Sequence, residues 1–228
     1  MRVRKKKNGA QRIAACSELL ISDISALKSP DGIFDETRPL HLEIGCGKGN
    51  FACGMAQKYS EVNFIAMEKV ADVCCVALEK AKSRADERER DNLRFLIGDA
   101  RLLEEAMKPS SVDCIYLNFS DPWPKKGHAK RRLTHSSFLD IYGKLLKEDG
   151  ILKLKTDNDS LFASSLEQFE LCGLDVIWKT YDLHATEQAE DNVMTEYEQN
   201  FSSKGVKIKS AWVKFPPREE SEGEKDAE

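Results

Sequence analysis

No stretch of this sequence approaches the ~20 consecutive apolar residues needed to cross a bilayer, which excludes a membrane-spanning helix. The basic start, Met1-Arg-Val-Arg-Lys-Lys-Lys, is followed by neither an apolar run nor a small-residue cleavage site, so it is not read as a secretory signal. It is acid-free through Ser17, and a transit peptide stays open as the alternative. The seven cysteines form no C-x-x-C pair and no metal-ligand spacing, so no metal site is expected. Their usage fits a reducing cytoplasm, where a free thiol in a core element acts as a small hydrophobe. The glycine turn at 45–49 lacks the G-K-[ST] ending of a phosphate-cradling loop, and there are no internal repeats.

A charge excess of either sign is also missing from the body of the chain. The net charge of −4 lies entirely in residues 216–228, which hold two cations against six acids, so residues 1–215 are neutral. That tail begins Pro216-Pro217, lacks large apolar residues and is expected to be disordered. The cations of the body cluster at residues 2–7 and 125–132, and such clustering, more than net charge, marks a nucleic-acid binder. With 228 residues and 41% hydrophobic content, one domain with tails is expected: a basic N-terminal extension with a helix at 1–37, a main domain at 38–215 and the acidic tail.

Strand and helix patterns alternate along the main domain. Strand patterns fall at 40–44, 62–67, 93–97, 112–117, 151–155, 176–181 and 207–215, and helical periods at 10–27, 51–59, 71–90, 138–146 and 160–172. This alternation predicts an α/β fold, a mostly parallel sheet with helices on both faces and ligands at the carboxyl ends of the strands. Five strands end in an acid: Glu43 before the turn Gly45-Cys-Gly47-Lys-Gly49, then Glu68, Asp99, Asp121 and Asp157. Asn50 stands where a dinucleotide fingerprint would have its third glycine, and Glu43 would repel a pyrophosphate. Glu68 is placed to bind ribose hydroxyls and Asp99 an adenine amino group. Adenosine carrying positive charge describes S-adenosylmethionine better than a nicotinamide cofactor. Lys153 and Lys155 alternate with Leu152 and Leu154 and read as the outer side of a strand, or its snorkelling end.

The fourth strand delivers Asn118-Phe-Ser-Asp-Pro-Trp-Pro-Lys-Lys-Gly-His-Ala-Lys-Arg-Arg132, in which one acid, one indole and five cations follow closely. Proline at 122 and 124 fixes φ and pushes Asp121 and Trp123 toward extended backbone, giving a stiff loop suited to gripping a base and its phosphates. Trp123 reads equally as a stacking platform or as a plug for the loop.

These residues resemble the bacterial tRNA (guanine-N7)-methyltransferases of the TrmB type. The likeness rests on Leu42–Phe51, Asn118–Lys126, His128–Thr134, Lys155–Asn158 and Thr195–Glu198, and spans roughly residues 38–205. It implies a Rossmann-like class I S-adenosylmethionine-dependent fold with a seven-stranded sheet, and methyl transfer to N7 of a variable-loop guanosine in tRNA. By that resemblance the cofactor is held by Glu43, Gly45, Gly47, Glu68, Asp99 and Asp121, and Asp121 is catalytic. Lys125, Asp157, Thr195 and Glu198 meet the substrate, with Lys126, Lys130, Arg131 and Arg132 on RNA. Gly127 departs from the family, where arginine is common. A cytoplasmic enzyme, monomeric or homodimeric and without an obligate protein partner, is expected. The alternative is a non-catalytic RNA-binding protein with a decayed cofactor pocket. On residues alone, Thr195-x-x-Glu198 is also a helix capping box, and Asp157 also a turn or N-cap residue.

Overall fold

Five parallel strands make the core of the sheet. In the computed structural model, which describes residues 7–29, 32–84 and 91–217, they are Leu40–Ile44 (β1), Asn63–Glu68 (β2), Leu93–Ile97 (β3), Val112–Asn118 (β4) and Leu146–Thr156 (β5). Asp175–Thr180 (β6) and Lys209–Lys214 (β7) complete the sheet in the order β3-β2-β1-β4-β5-β7-β6. β7 runs antiparallel to both of its neighbours, so the sheet is mixed at that one edge.

Alternate residues of the central strands feed two cores. On one face Leu40, Leu42, Ile115, Leu117, Leu152 and Leu154 pack against Ser136–Leu145 and Asp159–Leu171. On the other, Phe64, Phe95, Cys114 and Tyr116 pack against Asn50–Lys58 and Ala71–Arg84. With Gly9–Ala14 as α1, these two are α2 and α3; Leu103–Ala106 is α4, and the first-named pair are α5 and α6. Glu196–Ser202, between β6 and β7, is α7.

The helical period at 10–27 does not persist as one helix. α1 stops at Ala14, and the chain is drawn out at Leu20, where it bridges Phe95 on β3 and Ile21 N–H donates to the Phe95 carbonyl at 2.8 Å. Asp23 then caps a new 3-10 turn, Ile24–Lys28. Sheet pairing here outweighs a weak helical propensity. Cys16, Leu19, Leu27 and Phe34 are buried, so this segment packs into both cores. β5 begins five residues before the expected strand, and its pairing to β4 jumps from Val112↔Leu146 to Cys114↔Ile151, which accommodates Asp149-Gly150 as a bulge. The expected end of α3 at Arg90, residues 1–6 of the basic start and the acidic tail beyond Pro217 lie outside the described residues.

Candidate active site

The carboxyl ends of β1 to β4 frame a cavity of about 590 Å³. Gly45, Glu68, Asp99 and Asp121 all stand in its walls, with Trp123, Arg131 and Phe138 on the far side. Gly45 has φ +84°, a backbone state that costs glycine nothing, and it leaves the β1 end bare. Gly49 serves packing instead: a Cβ there would fall 2.8 Å from the Ala77 Cβ of α3. Gly47 lies behind the wall and donates its N–H to Glu68 Oε2 at 3.0 Å, while Glu68 Oε1 accepts from Val70 N–H at 2.9 Å. Both oxygens are thereby fixed, and each retains a lone pair. Burial works against the Asp99 charge, but Lys69 Nζ at 2.7 Å and the Arg101 N–H at 3.0 Å outweigh it and hold its pKa below the ordinary value.

The loop after β4 is strained as well as stiff. Phe119 and Trp123 have φ of +51° and +40°, a left-handed state that costs a non-glycine residue about 1–3 kcal/mol and clusters at functional sites. Arg132 holds the loop in place: its Nε donates to the Pro122 carbonyl at 3.0 Å and its Nη2 to the Trp123 carbonyl at 3.1 Å. The Arg131 guanidinium lies over the indole, 4.8 Å from its centroid, and His128 meets it edge-on. Trp123 therefore both lines the cavity and braces the loop. Lys125, Lys126 and Lys130 stand exposed beside it, and Gly127 faces open space. Arg132, expected on RNA, spends two of its five N–H donors on the loop carbonyls. Arg132→Ala should lower kcat by about ten- to a hundredfold through misplacement of Asp121 and Trp123. Arg132→Lys should restore little, since a point charge cannot bridge two carbonyls. The salt dependence of tRNA binding checks this, because loss of a phosphate contact would flatten it and loss of a clamp would not.

Glu43 does not share the cavity. It lies fully buried on the other sheet face, where Oε1 accepts from Asn118 Nδ2 at 2.9 Å and Oε2 has no partner among the described residues. Burial pushes its pKa up to about 7 from the ordinary 4.5. The folded chain thus holds this proton more tightly than the unfolded chain. The cost is absent below about pH 4.5, grows as pH rises, and reaches about 3 kcal/mol above pH 7. Glu43→Gln should therefore raise stability to urea at pH 8 and leave it unchanged at pH 4; an equal effect at both would remove the assignment.

Glu198, expected to meet substrate, faces inward. It is fully buried, and its carboxylate accepts from Lys155 Nζ at 2.8 Å and Asn192 Nδ2 at 2.6 Å, with His184 Nε2 at 3.1 Å. Lys155 in turn is buried and donates also to the Asn192 side chain and the Val193 carbonyl, so its place on the outer side of a strand is overturned. The face that alternation assigned to solvent is covered by α2 and the 183–193 segment. Thr195 caps α7, accepting from Glu198 N–H at 2.9 Å, so half of the capping box forms. Tyr197 of the same helix packs on Phe119 and donates to Asp157 Oδ2 at 3.3 Å, which places Asp157 beside the cavity but outside its walls. Glu196 pairs with Lys48 of the glycine turn and with Lys80 of α3. Asn118, Lys69 and Arg101 were not singled out from sequence; only their adjacency to strand-end acids marked them.

A Rossmann-like sheet with one antiparallel edge and acids gathered over its strand ends is the class I methyltransferase architecture. The solved structures "Crystal Structure of 16S rRNA Methyltranferase KamB" and "Structure of an Antibiotic Related Methyltransferase" are similar in fold, with TM-scores of 0.57 and 0.56, each at 14% identity and covering 95% of this chain and 97% of the other. Residues 37–211 match the family model described as "Putative methyltransferase". A tRNA (guanine-N(7)-)-methyltransferase of Limosilactobacillus reuteri is 46% identical over 211 residues, 91% of this chain and 96% of its own length. Those of Mesoplasma florum and a Geobacillus species are 47% and 41% identical, covering 79% and 98% of this chain and 82% and 100% of their own. The chain belongs to the tRNA (guanine-N7)-methyltransferase family.

Proposed function

We propose that this chain transfers a methyl group from S-adenosylmethionine to N7 of a guanosine in tRNA, the variable-loop guanosine by resemblance. The observation that carries the reading is the convergence of Glu68, Asp99 and Asp121 on one cavity beneath the Trp123 loop. The residues suit the cofactor. Gly45 leaves room at the cavity wall, Glu68 offers two oriented acceptors for ribose hydroxyls, and Asp99 accepts from the adenine amino group. Ser120 Oγ, a buried polar atom without a partner among the described residues, belongs to the lining of the same cavity and suits a ligand with polar groups.

Bound S-adenosylmethionine would supply an electrophilic methyl group. Guanine N7 is an acceptor with a free lone pair, so no proton has to be removed before it reacts. The task of the protein is then alignment and charge stabilisation. Asp121, on the rim, accepts from the guanine N1–H and amino group, which selects guanine over adenine, and its negative charge faces the purine as positive charge develops there. Lys125, Lys126, Lys130 and Arg131 receive the phosphates, and Asp157 and Thr195 flank the entrance. A cytoplasmic location goes with a tRNA substrate.

The test is transfer of labelled methyl to unmodified tRNA, followed by mapping of the modified base. Label at N7 of a variable-loop guanosine supports the reading. Tight tRNA binding without transfer would replace it with the non-catalytic one.

A further inference from the structure

A second cavity, of about 330 Å³, lies on the opposite face of the sheet, between α2 and the 183–193 segment. Its size is at the lower end of the ~300–1,000 Å³ range of ligand sites. Phe51, Tyr59, Tyr116 and Trp212 stand in its walls, and Trp212 packs on Trp178 with centroids 4.9 Å apart. Lys153 projects into this setting, its Nζ 4.2 Å from the Trp212 centroid and 5.9 Å from that of Tyr116.

The charges in the walls do not cancel. Lys155 is matched by Glu198 at 2.8 Å and Asp191 by Lys58 at 3.0 Å, whereas Lys153 has no acidic partner among the described residues. His41, whose Nδ1 meets the Tyr116 hydroxyl at 3.1 Å, has its pKa lowered to about 4 chiefly by burial and is neutral at pH 7. One uncompensated ammonium therefore stands among aromatic faces. At the inner end Asn118, only 7% exposed, lines the same cavity and has an Oδ1 without a partner among the described residues. An unmatched cation among aromatic faces is a feature that an anionic ring would complete.

We propose that this cavity binds a small planar aromatic monoanion, its ring against the Tyr116 and Trp212 walls and its anionic group on Lys153. The site is separate from the methyl-transfer cavity and does not depend on that reading. A cationic ligand such as the sulfonium cofactor is disfavoured here by Lys153.

The three tryptophans divide cleanly for a test: Trp178 and Trp212 report on this cavity, Trp123 on the larger one. The full chain, labelled with ¹⁵N, is titrated with 2-naphthoate while the indole N–H signals are followed. Saturable shifts are expected at Trp212 and Trp178, and none at Trp123. The neutral 2-naphthamide and the Lys153→Met variant should each weaken binding by about tenfold or more, as loss of a charge-assisted contact requires. Lys153→Arg should retain it, and the naphthamide comparison in the unaltered chain decides even if Lys153→Met fails to fold. Absence of saturable shifts at millimolar naphthoate, shifts centred on Trp123, or equal affinity for the acid and the amide would overturn the proposal.

Discussion

Asp121→Asn is expected to lower kcat by about two to three orders of magnitude, the loss typical when a group that stabilises transition-state charge is removed. Asparagine keeps the shape of the side chain, so the strained loop and its Arg132 clamp should survive and thermal unfolding should change little. It removes the negative charge proposed to face the developing purinium. It also presents an NH₂ to guanine donors, so KM for tRNA should rise as well. The pH profile separates two roles for the acid. If Asp121 only orients and stabilises, the variant rate stays low at every pH, because no proton transfer has been lost. Recovery of the rate at high pH would sink this role and make Asp121 a general base.

Lys155→Met should lower the unfolding free energy by about 3–5 kcal/mol, the usual consequence of removing one partner of a buried ion pair. Glu198 has no access to water, and without Lys155 its charge would face only Asn192 and His184. The same lysine ties the Val193 carbonyl to β5, so the segment over the second sheet face loses an anchor too. Urea unfolding of Lys155→Met, Glu198→Gln and the double variant measures the coupling. The double variant should recover part of the loss, because no unpaired charge is left inside. Additive losses, or a Lys155→Met effect of less than about 1 kcal/mol, would show that the pair carries little.

Much of this was legible before any coordinates. Apolar runs at 40–44, 93–97 and 112–117 are strands because both sheet faces are covered, and the acids after the last two, Asp99 and Asp121, mark the binding end of a parallel sheet. Glu68, Asp99 and Asp121 converge as their positions in that alternation required. What could not be read depends on partners distant in sequence. Alternation placed Lys153 and Lys155 on one face of β5 but could not reveal that α2 and residues 183–193 cover that face. Glu198 looked like the acid of a capping box, and only Lys155, 43 residues away, explains why its carboxylate turns inward. The early helical period failed because Phe95, far along the chain, offers Leu20 and Ile21 a strand edge.

The reversed direction of β7 has a practical consequence. Lys209 lies beside Thr156 at the catalytic end of the sheet, but Lys214 lies beside Ile151 at the other. The polypeptide therefore departs after Phe215 from the pole opposite the candidate site. A tag, surface tether or fluorescent label joined beyond Pro217 would leave the approach of a bulky nucleic acid unobstructed.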